Sequence, residues 1–341
     1  AVAVLVVTCP CALSLATPAA MLASAGALAR RGVLTRRLQA LEMMAGIDTV
    51  VFDKTGTLTH DRMQVSRISV RDGWSADRAL QLAAAIARQS LHPVSRTLLA
   101  ACPQSSEVVG KVEEVSGQGL LAESAHGQVR LGSARFCGID AAGHAQMQVH
   151  MADEQGWLAS FDLDEDIRAD AAASIAQLRA AGMRVEILSG DRQAAVQRVA
   201  DKLQVDRVAA DSTPQDKLTH IRTLQDAGRH VAMVGDGLND GPVLAGAQVS
   251  IALGQAAPLA QSQSDFVILG AQLTTVTQLF LQARRTMHIV RQNLIWAALY
   301  NAVCIPLAVT GWINAWIAGL GMALSSLLVI LNAARLAKIK D

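Results

Sequence analysis

The chain has 341 residues, of which 51% are hydrophobic and only 17% charged, with a formal net charge of +1. That length holds two or three domains, and the scarcity of charge predicts membrane spans beside soluble parts. Near-neutral charge without a basic, aromatic-interleaved motif excludes nucleic acid as a partner, and five scattered Cys exclude a disulfide framework, so the thiols are read as reduced.

Residues 1–29 carry no charged side chain, and Arg30-Arg31 and Arg36-Arg37 follow. This predicts a transmembrane helix with a cytoplasmic extension over 1–46. A signal peptide is the weaker reading, since there is no basic leader and Pro10 and Pro18 interrupt the apolar run. Cys9-Pro10-Cys11 lies inside the span. In a regular helix residues two apart point to nearly opposite sides. Pro loosens the helix by removing a backbone hydrogen bond, so both thiolates gain access to one soft ion, Cu(I), Ag(I) or Zn(II). Two buried thiols beside a kink are the bland alternative.

Next, Thr49-Val50-Val51-Phe52 predicts a strand that runs into Asp53-Lys54-Thr55-Gly56-Thr57-Leu58-Thr59. A carboxylate followed by a turn with Gly, hydroxyls and one Lys makes a phosphate cradle. The Lys and backbone N–H groups hold phosphoryl oxygens while the Asp attacks phosphorus. From 47 to about 275, short strands (Val185–Leu188, Val231–Val234, Phe266–Leu269) alternate with helices over roughly 167–181, 192–203 and 215–227. That rhythm predicts a parallel, doubly wound sheet, in which ligands gather at the carboxyl ends of strands. Asp53, Ser189-Gly190-Asp191 and Gly235-Asp236-Gly237 each follow a strand directly. A carboxylate at 236 beside Asp53 suits Mg²⁺, which prefers oxygen ligands and phosphate. Between 61 and 156 the rhythm breaks, which predicts an inserted domain. No P-loop string occurs.

The uncharged stretch from Gln292 to Ala334 lies between Arg291 and Arg335. At about 1.5 Å per residue it is roughly twice the ~30 Å of one crossing, which predicts a helical hairpin with its turn near Thr310–Asn314. Basic residues at 30, 31, 36, 37, 284, 285, 291, 335, 338 and 340 put the flanking ends on the cytoplasmic side. Polar groups in a span face the bundle interior and mark a pathway, unless they merely pack, and the Met322 thioether suits monovalent copper.

The string from Asp53 to Thr59 resembles the phosphorylation motif of P-type ATPases, ion pumps that pass through an aspartyl-phosphate. Cys9-Pro10-Cys11 resembles the hallmark of their heavy-metal branch. Asn293, Tyr300-Asn301, Pro306 and Met322-Ala323-Leu324-Ser325-Ser326 follow the spacing of its copper(I) subgroup. Zinc-moving members typically use a Lys and an Asp in these last helices, and neither occurs between Gln292 and Ala334. The resemblance covers 1 to about 336.

The fold so implied is α/β: a haloacid-dehalogenase-like doubly wound parallel sheet with an inserted α+β nucleotide-binding domain, plus transmembrane α-helices. The phosphorylation domain is expected at 47–60 and 157–275, the nucleotide-binding domain at 61–156 and a transmembrane helix pair at 276–341. The resemblance implies a catalytic set of Asp53, Lys54, Thr55, Asp191 and Lys217, and ATP contacts at His92, Pro93, Gly117, Gly119 and Gly190. It implies Mg²⁺ ligands at Asp53, Thr55 (through its carbonyl), Asp236 and Asp240, supported by Asn239. Cu(I) ligands are implied at Cys9, Cys11, Tyr300, Asn301, Met322 and Ser325.

Soluble phosphatases of the same superfamily carry a second Asp where this chain has Thr55. Thr has no useful pKa near neutrality, so the phosphoenzyme should outlive a conformational change. Two departures weaken the adenine contacts implied. Family members often have a Glu five residues before the His, here Ala87, and an Asn near the position of Gly132-Ser133.

No Thr-Gly-Glu actuator motif, earlier membrane helices or Cys-x-x-Cys domain is present, so the chain reads as the C-terminal half of a pump. The function expected is ATP-driven export of Cu(I) across a bacterial inner membrane, with the catalytic domains cytoplasmic. The partners implied are ATP, Cu(I) or Ag(I), membrane lipid and a copper chaperone. A non-catalytic soft-metal-binding membrane protein and a soluble-type phosphatase are the alternatives.

Overall fold

The computed structural model describes residues 2–8, 11–125, 127–140, 147–236, 241–254, 258–270 and 272–338. In chain order, α1 (Val2–Val7) and α2 (Cys11–Arg30) lead into β1 (Val33–Thr35), α3 (Gln39–Ala45) and β2 (Thr49–Asp53). Then come β3 (Thr59–Val70), α4 (Ala76–Ala87), α5 (Pro93–Ala101), β4 (Val109–Val115), β5 (Gly119–Ser124) and β6 (Gly127–Gly132). They are followed by α6 (Ala134–Cys137), β7 (Met147–Asp153) and β8 (Gly156–Ile167). Next are α7 (Ala171–Ala180), β9 (Arg184–Leu188), α8 (Gln193–Leu203), β10 (Val208–Ala209) and α9 (Pro214–Asp226). After these stand β11 (Val231–Gly235), α10 (Gly241–Gly246), β12 (Val249–Leu253), α11 (Pro258–Gln263) and β13 (Phe266–Ile268). Two long helices follow, α12 (Thr274–Val309) and α13 (Ala315–Ala334).

These elements form two compact units, Ala1–Leu58 with Ala169–Asp341, and Thr59–Arg168. The first contains a seven-stranded sheet in the order β1-β13-β12-β11-β2-β9-β10. Every pairing is parallel except that of the edge strand β1 with β13. The order reverses at β2: β9 and β10 lie to one side of it, and β11 to β13 to the other. Such a switch point splays the loops on either side and leaves a crevice at the strand ends. All five residues of β2 are buried, as expected of a central parallel strand covered on both faces. Val51, Leu188, Val231 and Met233 of the sheet pack with Ile221 and Leu224 of α9 and Val243 and Leu244 of α10.

Helix α2 packs against α12 and α13 through Ala20, Ile289, Val290, Ala333 and Leu336, and further along through Ala16, Ala297 and Val329. Small residues at these contacts let the backbones approach closely. Polar side chains are spent inside the trio: Gln282 Nε2 donates to Ser24 Oγ and to the Leu336 carbonyl, both at 3.2 Å. Outside it, Leu294, Ile295, Leu299, Val303, Leu320, Leu324, Leu327 and Leu331 are exposed. Thr274–Val309 and Ala315–Ala337 are long and apolar enough to cross a membrane. The break between them falls in the expected Thr310–Asn314 turn.

The second unit is a six-stranded antiparallel sheet in the order β3-β8-β7-β6-β5-β4. Leu82, Ile86 and Leu98, on α4 and α5, pack onto Val129, Leu131, Val149, Met151 and Phe161 of the strands. The boundary expected at 156/157 requires correction here, because β8 lies between the edge strand β3 and β7 in this sheet, and the unit runs on to Arg168. Leu158, Phe161 and Leu163 supply a buried face on β8. Their partner strand lies about a hundred residues earlier, which local periodicity does not reveal.

Candidate active site

Asp53 ends β2 with its carboxylate buried at 5% exposure. Register pairs it with Leu188 of β9, and Phe52 with Val234 of β11, so residues 189–191 and Asp236 leave the sheet beside it. Three loops scattered through the sequence therefore converge at one strand edge.

Lys217 Nζ donates to Asp53 Oδ1 at 2.6 Å, and both side chains are buried. The lysine is delivered by the start of α9. Thr213 caps that helix by accepting from Asp216 N at 3.2 Å, Asp216 answers by accepting from Thr213 N at 3.0 Å, and Pro214 sits in the first turn. This capping box fixes the helix origin and hence the height of Lys217 above the sheet.

Lys54 pairs with Asp191 Oδ2 at 2.7 Å. Thr55 Oγ1 and Ser189 Oγ donate to the same oxygen, each at 3.1 Å. Burial pushes the Asp191 carboxyl up, but Lys54, Ser189 and Thr55 together hold it below its ordinary value. Gly190 belongs to this loop, where a Cβ would meet the Ser212 carbonyl at 3.2 Å. Thr55 has an extended conformation, whereas Gly56 turns at φ 72°. A Cβ on Gly56 would stand 2.9 Å from Asp236 Cγ, so the glycine keeps that carboxylate against the turn backbone.

The carboxylates of Asp53 and Asp236 are hard oxygen donors that leave neighbouring strand ends. Asp236 lies against the turn backbone at Gly56, three residues after Asp53, and these oxygen donors fit Mg²⁺. Among the described residues no three His, Cys, Asp or Glu side chains gather in a metal cluster. Backbone carbonyls and waters normally complete a magnesium shell, so this does not count against the fit. Asn239 and Asp240 lie outside the described residues.

One support escaped the sequence reading. Glu186, buried on β9, receives Arg184 Nε at 2.6 Å and faces His220 Nε2 at 3.0 Å. Burial raises this carboxyl, and His220 and Arg184 overcome that and hold it low. His220 stands one turn after Lys217 on α9, so the contact anchors that helix to the sheet. A charged residue inside the apolar strand Val185–Leu188 was the available signal.

The second unit contains a cleft of ≈ 260 Å³ whose lining includes Ser90, His92, Glu114, Gly117, Gly119 and Gly132. His92 caps α5, its Nδ1 accepting from Val94 N at 3.3 Å, and Pro93 opens the helix. The two glycines expected to admit nucleotide differ. Gly117 turns at φ 70° with open space where a Cβ would be. Gly119 faces Gly132 across β5 and β6, and a Cβ on it would lie 2.7 Å from the Gly132 Cα. Its missing side chain admits the neighbouring strand. Gly132 makes the same allowance in return and lines the cleft, a role that no local motif announces. Ala87 is buried in the core behind α4, away from the cleft lining.

In the helical pair, Tyr300 OH lies where a Cβ on Gly321 would be at 2.9 Å, which places Tyr300 beside the residue preceding Met322. Asn301 and Met322 are half-buried. Ser325 is buried and accepts from Trp296 Nε1 at 3.2 Å. Cys9 and the side chain of Cys11 lie outside the described residues.

Residues 47–248 match the family model of haloacid dehalogenase-like hydrolases. The chain belongs to that family. This haloacid dehalogenase-like chain is similar to metal-transporting P-type ATPases along nearly its whole length. It is 37% identical to the cation-transporting P-type ATPase B of Mycobacterium tuberculosis, over 98% of its own length and 46% of the relative's. It is also 37% identical to a copper-exporting P-type ATPase of the same organism, over 99% of its length and 46% of that protein's. The chain thus spans about half the length of the curated relatives it matches. The crystal structure of a zinc-transporting PIB-type ATPase in its E2.Pi state superposes with a TM-score of 0.89 at 30% identity, covering 97% of this chain and 57% of the other.

Proposed function

We propose that the chain is the catalytic and metal-releasing part of an ATP-driven Cu(I) exporter that works through an aspartyl-phosphate at Asp53. The observation that carries this reading is the buried Lys217–Asp53 contact beside the Lys54–Asp191 pair. Lys217 holds the carboxylate oriented before the phosphoryl group arrives. In the transfer, Asp53 Oδ forms a bond to the γ-phosphorus as the bond to the β,γ-bridging oxygen breaks, and ADP leaves. Lys54 and Lys217 then face the charge that spreads over the phosphoryl oxygens. Asp53, Asp236 and the Thr55 carbonyl would hold Mg²⁺, which would supply charge neutralisation for the transferring phosphoryl group. Thr55 offers no second carboxylate, so no side chain at that position activates water against the adduct.

Cu(I) rather than Zn(II) as cargo is supported by the thiol pair at 9 and 11 and the thioether of Met322, with no Lys or Asp between Gln292 and Ala334. Ag(I) shares this chemistry. Membrane lipid around the exposed apolar belt, a bacterial inner membrane and delivery by a copper chaperone complete the proposal.

Incubation with γ-³²P-ATP and Mg²⁺ should give an alkali-labile label that Asp53→Ala abolishes. Cu(I), and not Zn(II), should change the label's level, and Cys9→Ser or Met322→Ile should remove that response. A label that survives Asp53→Ala overturns the reading. A protein that binds Cu(I) but never takes label is a non-catalytic binder, and rapid turnover of small phosphoesters indicates a phosphatase.

A further inference from the structure

Among the described residues that line the cleft of the second unit, Glu114, near the end of β4, is the one carboxylate. The remaining walls are apolar, with Val94, Leu98, Leu120 and Leu131, or neutral and polar, with Ser90 and Gln118. A carboxylate is a poor neighbour for a triphosphate, because like charges repel. It is a good acceptor for a neutral ligand's N–H groups. We infer that Glu114 reads the base of the nucleotide, accepting from the exocyclic amino group of adenine and turning the phosphates away from this wall. The inference rests on the reading of this cleft as the ATP site.

Three physical points support it. The apolar lining provides area for a flat ring, while Glu114 is exposed and stands near a strand end. β4 pairs with β5 in register Glu114↔Leu120, which places the carboxylate across from a residue that also lines the cleft. Guanine presents a carbonyl oxygen where adenine has its amino group, and two facing acceptors exclude one another. The contact therefore favours the base that donates at that position over the base that accepts there.

The test is a titration of the full chain with ATP, GTP and 2′-deoxy-ATP, for wild type, Glu114→Gln and Glu114→Ala. Wild type should prefer ATP over GTP by about tenfold or more, the scale of one hydrogen bond to a charged group. Glu114→Gln, whose amide also donates, should bring that ratio close to one. Glu114→Ala should weaken ATP and leave GTP unchanged. 2′-Deoxy-ATP should follow ATP in every variant. A ratio unchanged in both variants overturns the inference, as does a parallel rise for ATP and GTP, which marks simple charge repulsion. Selective loss of discrimination against 2′-deoxy-ATP assigns Glu114 to the ribose and overturns it too. Wild type that binds no nucleotide defeats the ATP-site reading itself, a result distinguishable from bound ATP with an unchanged ratio.

Discussion

Lys217 Nζ and Asp53 Oδ1, 164 residues apart in the chain, meet at 2.6 Å at the carboxyl end of a central strand. Both groups are buried, and their contact partly offsets the cost of taking them out of water. Lys217→Met should lower phosphoenzyme formation by about 10²–10³-fold, the range for losing a charge-stabilising donor. It should also lower stability by removing an ion-pair partner from a buried carboxylate. Adding Asp53→Asn should restore most of the stability and none of the labelling, which denaturant titration and ³²P incorporation would read in a double-mutant cycle.

Gly56→Ala places a methyl 2.9 Å from Asp236 Cγ at a residue with φ 72°. The strained backbone should cost about 1–3 kcal/mol. Displacement of the carboxylate should raise the Mg²⁺ needed for half-maximal labelling by roughly tenfold or more. A Mg²⁺ titration of phosphorylation that superposes on wild type would argue against Asp236 as a ligand.

Asp191 titrates below its ordinary value, where Lys54, Ser189 and Thr55 outweigh the burial that pushes it up. A depressed folded-state pKa adds stability that is present above the unfolded value of about 3.9 and is lost as pH falls through the folded one. Asp191→Asn should therefore lower the urea midpoint at pH 7, and the gap from wild type should close below about pH 4. The carboxylate is 46% exposed, so solvent keeps the effect small.

Gly117 and Gly119 should respond differently to alanine. Gly119→Ala drives a methyl into the backbone of β6 and should lower the thermal midpoint of the unit before any ligand is added. Gly117→Ala meets only its φ of 70° and should cost about 1–2 kcal/mol, while weakening ATP if the nucleotide approaches that backbone. Scanning calorimetry with ATP titration separates the two.

Cys137 is buried, and burial pushes its thiol up to about 11. It should resist alkylation at pH 8 and take no part in soft-metal binding, since the thiolate is the ligand. Cys137→Ala should leave Cu(I) stoichiometry unchanged. A lowered stoichiometry would place a metal site in the second unit.

Four strands of the parallel sheet, β2, β9, β11 and β13, were legible as short, largely apolar runs closed by polar turns, whereas β1, β10 and β12 were not. The Thr-Pro-x-Asp-Lys string likewise carried both a helix cap and the lysine it delivers. The antiparallel unit was harder to read. β8 finds its partner in β3 across the whole insertion, and Gly119 owes its small size to a strand that begins eight residues later.

By itself the sequence determined the chemistry on offer: a nucleophilic carboxylate in a phosphate-binding turn, hard oxygen donors for magnesium, and soft sulfur in apolar helices. Those properties belong to residue types and local spacing. Only the tertiary structure decided which groups meet. Lys217 on Asp53, Lys54 on Asp191 and Glu114 in the wall of a cleft follow from strand order and register. Pairings between distant segments are set by packing of the whole sheet, a global condition that no short window of sequence contains.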